Sequence, residues 1–308
     1  MSRFTVSSTL ARAALRALCA LLLLGSLSVV FAQQPAPPVN AQPAAPGRGG
    51  GGPVPVDPRV QVRMHHFAET NEDIPYALFV SSKVDPKKNA PMIVTLHGLG
   101  GAHTTMMRPV ALDLAEAGGY ILVAPMGYNP RGWYGIRRGA PRGAAAPPPN
   151  AAPAAPGRAL PPTLNGANDP PNVRELSEKE TLEVIDLVRK EFKVDDDRTY
   201  LMGHSMGGAG TLYLAVKYSK QWAAIAVLAP AAFSLDPNSL AKIPKMPVML
   251  VHGDMDTVVP LSWSRPWVEE MRSLKMPHEY IEVPGGDHGT VITSHQAEIF
   301  AFFAKHKR

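Results

Sequence analysis

Three residue types that cooperate in acyl transfer sit on short glycine-rich segments of this chain. They are a serine in Gly203-His204-Ser205-Met206-Gly207-Gly208, an aspartate in His252-Gly253-Asp254-Met255-Asp256 and a histidine in Gly285-Gly286-Asp287-His288-Gly289. A serine hydroxyl is a weak nucleophile by itself. It needs a base within hydrogen-bond reach and an acid that orients the base. The first segment fits G-x-S-x-G, in which the flanking glycines leave room for a serine held on a sharp strand-to-helix turn. We expect Ser205 as nucleophile and His288 as base. Two aspartates compete for the orienting role; Asp256 lies further from the strand end and is preferred, with Asp254 expected to shape the turn.

Acyl transfer also needs donors for the oxyanion. The residue after the nucleophile, Met206, supplies one backbone N–H. The loop His97-Gly98-Leu99-Gly100-Gly101 supplies the other, expected from Leu99 with Gly100 as its rival. His97 is read as a brace for that loop and His204 as packing under the turn. Trp133 and Tyr134, in the loop NPRGWYG, are candidates for a substrate pocket, ordinary loop packing being the alternative. This chemistry calls for no metal and no organic cofactor.

Such residues converge only if the right elements carry them. Continuous apolar runs predict strands at Met92–Leu96, Tyr120–Ala124, Arg198–Met202, Ala223–Leu228 and Val248–Val251, with another at Glu279–Val283. Val60–Phe67 and Pro75–Ser81 read as an antiparallel entry pair. Helical period marks 177–192, Met206–Tyr218, Ser264–Leu274 and Thr293–Ala304, and Ser177 with Glu180 reads as a capping box. Alternation of this kind predicts an α/β fold: a doubly wound, mostly parallel sheet with helices on both faces.

HGLGG, GHSMGGAGT, HGDMDTVVP and GGDHG, in this order, resemble the bacterial α/β-hydrolases, in particular the secreted esterase and peptidase group related to prolyl oligopeptidase catalytic domains and dienelactone hydrolases. The resemblance covers about residues 60–308 and implies the α/β-hydrolase fold. It implies Ser205, Asp256 and His288 as a catalytic triad, with the oxyanion-loop position at Leu99. The expected activity is hydrolysis of a small or polymeric carboxylic ester through an acyl-enzyme. A peptidase of the prolyl oligopeptidase type is the alternative, and a binding protein that has lost catalysis is the remote one. Two features depart from the group: a Pro/Ala-rich insertion at about 139–163, and serine where dienelactone hydrolases use cysteine.

The 308-residue chain opens with Arg3, Arg12 and Arg16, then an apolar run closing at Val30-Phe31-Ala32. That layout predicts a signal peptide at 1–32, cut after Ala32, and a secreted or periplasmic product. Cleavage removes the single cysteine, Cys19, so no disulfide or thiolate site is expected. Removing three arginines from a net charge of +5 leaves +2, a balance that gives no reason to expect nucleic acid as a partner. No stable membrane insertion is expected after cleavage. Residues 33–58, rich in Pro, Gly and Ala, read as a flexible tether, and 59–308 as the catalytic domain.

Overall fold

The computed structural model describes residues 55–137 and 168–308; the expected signal peptide, most of the tether and the 139–163 insertion lie outside them. One eight-stranded sheet dominates. Its strands are β1 (Gln61–Phe67), β2 (Glu72–Val80), β3 (Ala90–Leu96), β4 (Ile121–Ala124), β5 (Val194–His204), β6 (Ala224–Leu228), β7 (Val248–Gly253) and β8 (His278–Val283). They lie in the order β1-β2-β4-β3-β5-β6-β7-β8. β1 and β2 pair antiparallel, and so do β2 and β4; every other pair is parallel. This is the expected parallel sheet with its antiparallel entry.

Central strands are apolar on both sides because helices cover both faces. Side chains alternate across the sheet: Met92, Val94 and Leu96 enter one core, Ile93 the other. The first core lies under α2 (Val173–Glu191), α3 (Met206–Lys217) and α4 (Arg265–Ser273). The second lies under α1 (Pro109–Gly118) and α5 (Gln296–Lys305).

Register places the functional segments. Leu96 pairs with Gly203, Gly203 with Val227, and Gly253 with Val283. The loops that leave β3, β5, β6, β7 and β8 therefore emerge together at the carboxyl edge, where open α/β sheets bind ligands.

Two differences from the sequence reading matter. α1, over PVALDLAEAG, was not foreseen; its buried face is Ala111, Leu112 and Ala115, a single large apolar side chain between two alanines, too little to stand out as an apolar stripe. The capping box does not form. α2 starts at Val173, so Ser177 lies inside the helix, and both Ser177 and Glu180 are fully buried. Their polar groups serve a neighbouring loop instead.

Candidate active site

β5 runs into Ser205, which opens α3 with φ 57° and ψ −116°. A non-glycine residue in this region costs of order 1–3 kcal/mol and persists only where its surroundings enforce it. They do so here. The Ser205 amide donates to Leu228 O at 2.9 Å, while its carbonyl accepts from Ala209 N at 3.0 Å and Ala231 N at 2.9 Å. The glycines on either side are required. A Cβ at residue 207 would stand 2.2 Å from Leu96 O, and one at residue 203 would stand 2.3 Å from Gly207 O.

Asp256 follows β7 and is buried. Its Oδ2 lies 2.7 Å from His288 Nδ1, on the loop after β8. Its Oδ1 accepts from the amides of Val258 and Val259, each at 2.8 Å. A fourth donor was not foreseen: His252 Nε2 stands 3.2 Å from Oδ2. His252 Nε2 faces only acceptors, Val259 O at 2.9 Å and the carboxylate, so it carries the ring proton, and Nδ1 accepts from Ser264 Oγ at 2.6 Å. Burial alone would push the Asp256 carboxyl up. Hydrogen bonds from His252, His288 and the Val259 amide outweigh it and hold the group well below the usual carboxylate range.

The loops after β7 and β8 are laced together. Asp254 Oδ1 accepts from Gly285 N at 2.7 Å, and Met255 N donates to Gly286 O at 3.0 Å. Asp254 thus ties the two loops, while Asp256 meets the imidazole. Asp287 binds locally, accepting from the amides of Gly289 and Thr290. His204 joins this unit to the serine turn. Its Nε2 donates to His288 O at 2.7 Å, and the two rings lie 4.4 Å apart. Burial, helped by repulsion from His288, lowers the His204 pKa to about 3, which keeps the ring neutral as the donor. The imidazole of His288 therefore packs against the residue that precedes Ser205.

The loop after β3 crosses this turn. A Cβ on Gly98 would stand 3.2 Å from Ser205 Cβ. The amides of Gly100 and Gly101 are engaged, with Pro130 O and Gly98 O, both at 2.9 Å. The Leu99 amide donates to no group among the described residues, and Leu99 is exposed. Met206 is the first residue of α3, and its amide has no intrahelical acceptor. His97 is buried, with Nδ1 2.8 Å from Gly98 O and Nε2 2.9 Å from Met126 O.

The pocket expectation for Trp133 and Tyr134 needs correction. Tyr134 is 0 % exposed. Its hydroxyl donates to His97 O at 3.1 Å, and its ring lies where a Cβ on Gly210 of α3 would come within 2.5 Å. It braces the loop and lines no open cleft, because helix and loop enclose it. Trp133 is also buried. Its ring meets Phe233 edge-on at 5.5 Å, and Phe233 in turn faces Trp263 at 5.4 Å. Phe233 and Trp263, both partly exposed, carry the open end of this aromatic row. The signal for Phe233 was present, an aromatic residue soon after the strand that follows the serine turn.

Comparisons with known proteins agree with this architecture. A crystallised thermostable esterase is 22% identical and superposes with a TM-score of 0.58, over 81% of this chain and 64% of that one. The chain has the α/β-hydrolase fold. A ferulic acid esterase from Anaeromyces mucronatus superposes on this hydrolase scaffold with a TM-score of 0.58 at 19% identity, over 80% of this chain and 90% of that one. The Phospholipase/Carboxylesterase family model matches residues 168–306 of this α/β-hydrolase, the part that carries all three triad candidates. Cutinase 2 of Thermobifida cellulosilytica is 33% identical over 97 residues, 31% of this chain and 35% of the relative. The match thus spans about a third of that curated cutinase.

Proposed function

We propose that this chain hydrolyses carboxylic esters by two-step acyl transfer, with Ser205, His288 and Asp256 as its triad. The observation that carries the reading is the 2.7 Å contact between His288 Nδ1 and Asp256 Oδ2, on a carboxylate already fixed by two amides, with the imidazole packed beside the strained Ser205 turn.

Each group has a role in this reading. Asp256 accepts from Nδ1, which leaves Nε2 of His288 as the basic nitrogen. That nitrogen takes the Ser205 proton as Oγ attacks the ester carbonyl carbon. The oxygen becomes an oxyanion, held by the amides of Leu99 and Met206. The imidazolium then returns the proton to the departing alcohol, leaving an acyl-serine. Water, activated by the same imidazole, releases the acid. Fixed backbone donors suit an ester carbonyl because they need no reorganisation as charge develops. The family match and the relatives named as cutinase and esterase support an ester as the substrate.

The arginine-flanked apolar segment at 1–32 supports export, and 33–58 then tethers the catalytic domain. The test is turnover of p-nitrophenyl acetate by wild type and by Ser205→Ala, with an aminoacyl-anilide alongside. Loss of triad members costs about 10⁴–10⁶ in kcat. Ester turnover that vanishes in Ser205→Ala supports the reading; turnover that survives refutes it, and preference for the anilide shifts it to a peptidase.

A further inference from the structure

The loop between β4 and α2 holds an unusual amount of backbone strain. Gly127, Tyr128, Trp133, Tyr134 and Gly135 all have positive φ, and three of these are not glycine. Tyr128 stands at 64°, Trp133 at 61° and Tyr134 at 53°. Such a segment holds its shape only where its surroundings over-determine it. The surroundings here are one face of α2.

Two buried polar residues on that face grip the loop. Glu180 Oε2 accepts from the Tyr128 amide at 3.1 Å, and the amides of Met126 and Gly127 also turn toward its carboxyl group. Ser177 Oγ accepts from the Tyr134 amide at 3.0 Å. The fit is close. A Cβ on Gly132 would stand 2.3 Å from Ser177 Oγ, and one on Gly127 would stand 2.7 Å from the Tyr134 ring. Neither helix residue meets solvent. A buried carboxyl group on a helix is costly unless bonded, and Ser177 and Glu180 cap no helix end.

The gripped loop in turn grips the segment that crosses Ser205. Pro130 O accepts from the Gly100 amide at 2.9 Å, Met126 O faces His97 Nε2 at 2.9 Å, and the Tyr134 hydroxyl donates to His97 O at 3.1 Å. These three contacts bracket Leu99. The amides of residues 100 and 101 are engaged, whereas that of exposed Leu99 donates to no group among the described residues, which leaves it open to an oxyanion.

We propose that Glu180 is a positioning residue for catalysis, which through the 126–135 loop fixes where the Leu99 amide points. The inference rests on the hydrolase reading given above. Burial raises the Glu180 carboxyl to about 7, so near neutrality a large share of it is an uncharged acid that glutamine can mimic.

The experiment compares wild type with Glu180→Leu, Glu180→Gln and Tyr134→Phe. It measures kcat and KM for p-nitrophenyl acetate, and the inhibition constant of a trifluoromethyl ketone, whose adduct with a serine carries an oxyanion. Removing a whole oxyanion donor costs about 10²–10³ in kcat, so a misaimed one should cost about tenfold. The expected result is a roughly tenfold lower kcat in Glu180→Leu and Tyr134→Phe, with KM within about twofold. The ketone should weaken by the same factor, and Glu180→Gln should recover most of the kcat. Tyr134→Phe keeps the ring and cuts only the bond to His97, so it decides the matter if Glu180→Leu does not fold. Unchanged kcat in Tyr134→Phe overturns the proposal, as does a lower kcat with unchanged ketone affinity. So does a Glu180→Gln enzyme no better than Glu180→Leu. An active wild type with indifferent variants sinks this inference alone; a wild type without ester turnover sinks the hydrolase reading with it.

Discussion

His252 and His288 share one oxygen of Asp256, at 3.2 and 2.7 Å from Oδ2. His288 packs its ring against His204, the residue before Ser205; His252 is wholly buried and ends on Ser264 and Val259 O. His252 thus holds the carboxylate that meets His288, the proposed base. Replacing it with leucine removes a donor from a buried charge, which costs about 1.5–3 kcal/mol for a hydrogen bond to an ionised group. We expect His252→Leu to lose stability on that scale in urea titrations. We also expect kcat to fall about 10–100-fold, on the pattern of lost supporting hydrogen bonds. An unaltered kcat would show that Asp256 is held without it.

Acid should unfold the protein through groups that resist protonation. The His204 pKa falls from 6.5 to about 3 in the folded chain. Below pH 6.5 the unfolded chain takes up a proton that the folded chain refuses. The His204 contribution to stability is therefore complete above 6.5 and declines by about 1.4 kcal/mol per pH unit until the folded value is reached. Buried His97 is lowered for the same reason and acts in the same direction. Asp256, held low, keeps its contribution until the pH passes below the ordinary carboxylate value, then loses it as well. Relative to a His204→Asn variant, which has no imidazole to titrate, the wild-type urea midpoint should fall from pH 7.5 through 6.0 to 5.0; a difference that rises on acidification would contradict this.

Glu180 has the opposite sign. Its carboxyl ionises near 4.5 when unfolded and near 7 when folded, burial being the main cause and repulsion from Glu183 a lesser one. Its stabilising contribution is complete below 4.5 and is lost as pH rises through 7, about 3 kcal/mol in all. Tyr134 also faces it, and stays protonated throughout because burial raises its pKa well above 10. The stability of Glu180→Gln relative to wild type should therefore improve between pH 5 and pH 8. A difference independent of pH would place the carboxyl group in a different ionisation state.

Gly207 offers a steric test of the serine turn. An alanine there would set its Cβ 2.2 Å from Leu96 O, a backbone atom that has no easy way to yield. Overpacking of this kind costs about 1–3 kcal/mol. A displacement near 1 Å at a catalytic group costs about 10²-fold in rate. Gly207→Ala should therefore lose far more activity than stability, read by kcat against thermal midpoint. Full activity in Gly207→Ala would mean that the turn tolerates the shift.

The sequence disclosed most of the sheet because MIVTL, YILVA, AAIAVL and VMLV are apolar on both faces, a pattern that only covered parallel strands maintain. The serine, aspartate and histidine segments were legible because each is glycine-rich and follows a strand. The supporting residues were not. His252 touches Asp256 only because the strand end curls back over four residues, a geometry that spacing does not announce. Ser177 and Glu180 match a capping pattern in sequence, yet the helix had already begun at Val173, and burial turned both inward. Tyr134 looked like a pocket residue because aromatic loop residues near strand ends often are. Gly210, whose missing side chain lets the Tyr134 ring settle on α3, is far from it in sequence. Local pattern reveals elements and the groups at their ends; what holds those groups in place comes from contacts between distant segments.

The most direct measurement is mass spectrometry of the protein after reaction with a fluorophosphonate, followed by peptide mapping. The account predicts one phosphonyl group per chain, on the peptide that contains Ser205, and strongly slowed labelling in His288→Ala. A chain that turns over esters while Ser205 stays unmodified would contradict it.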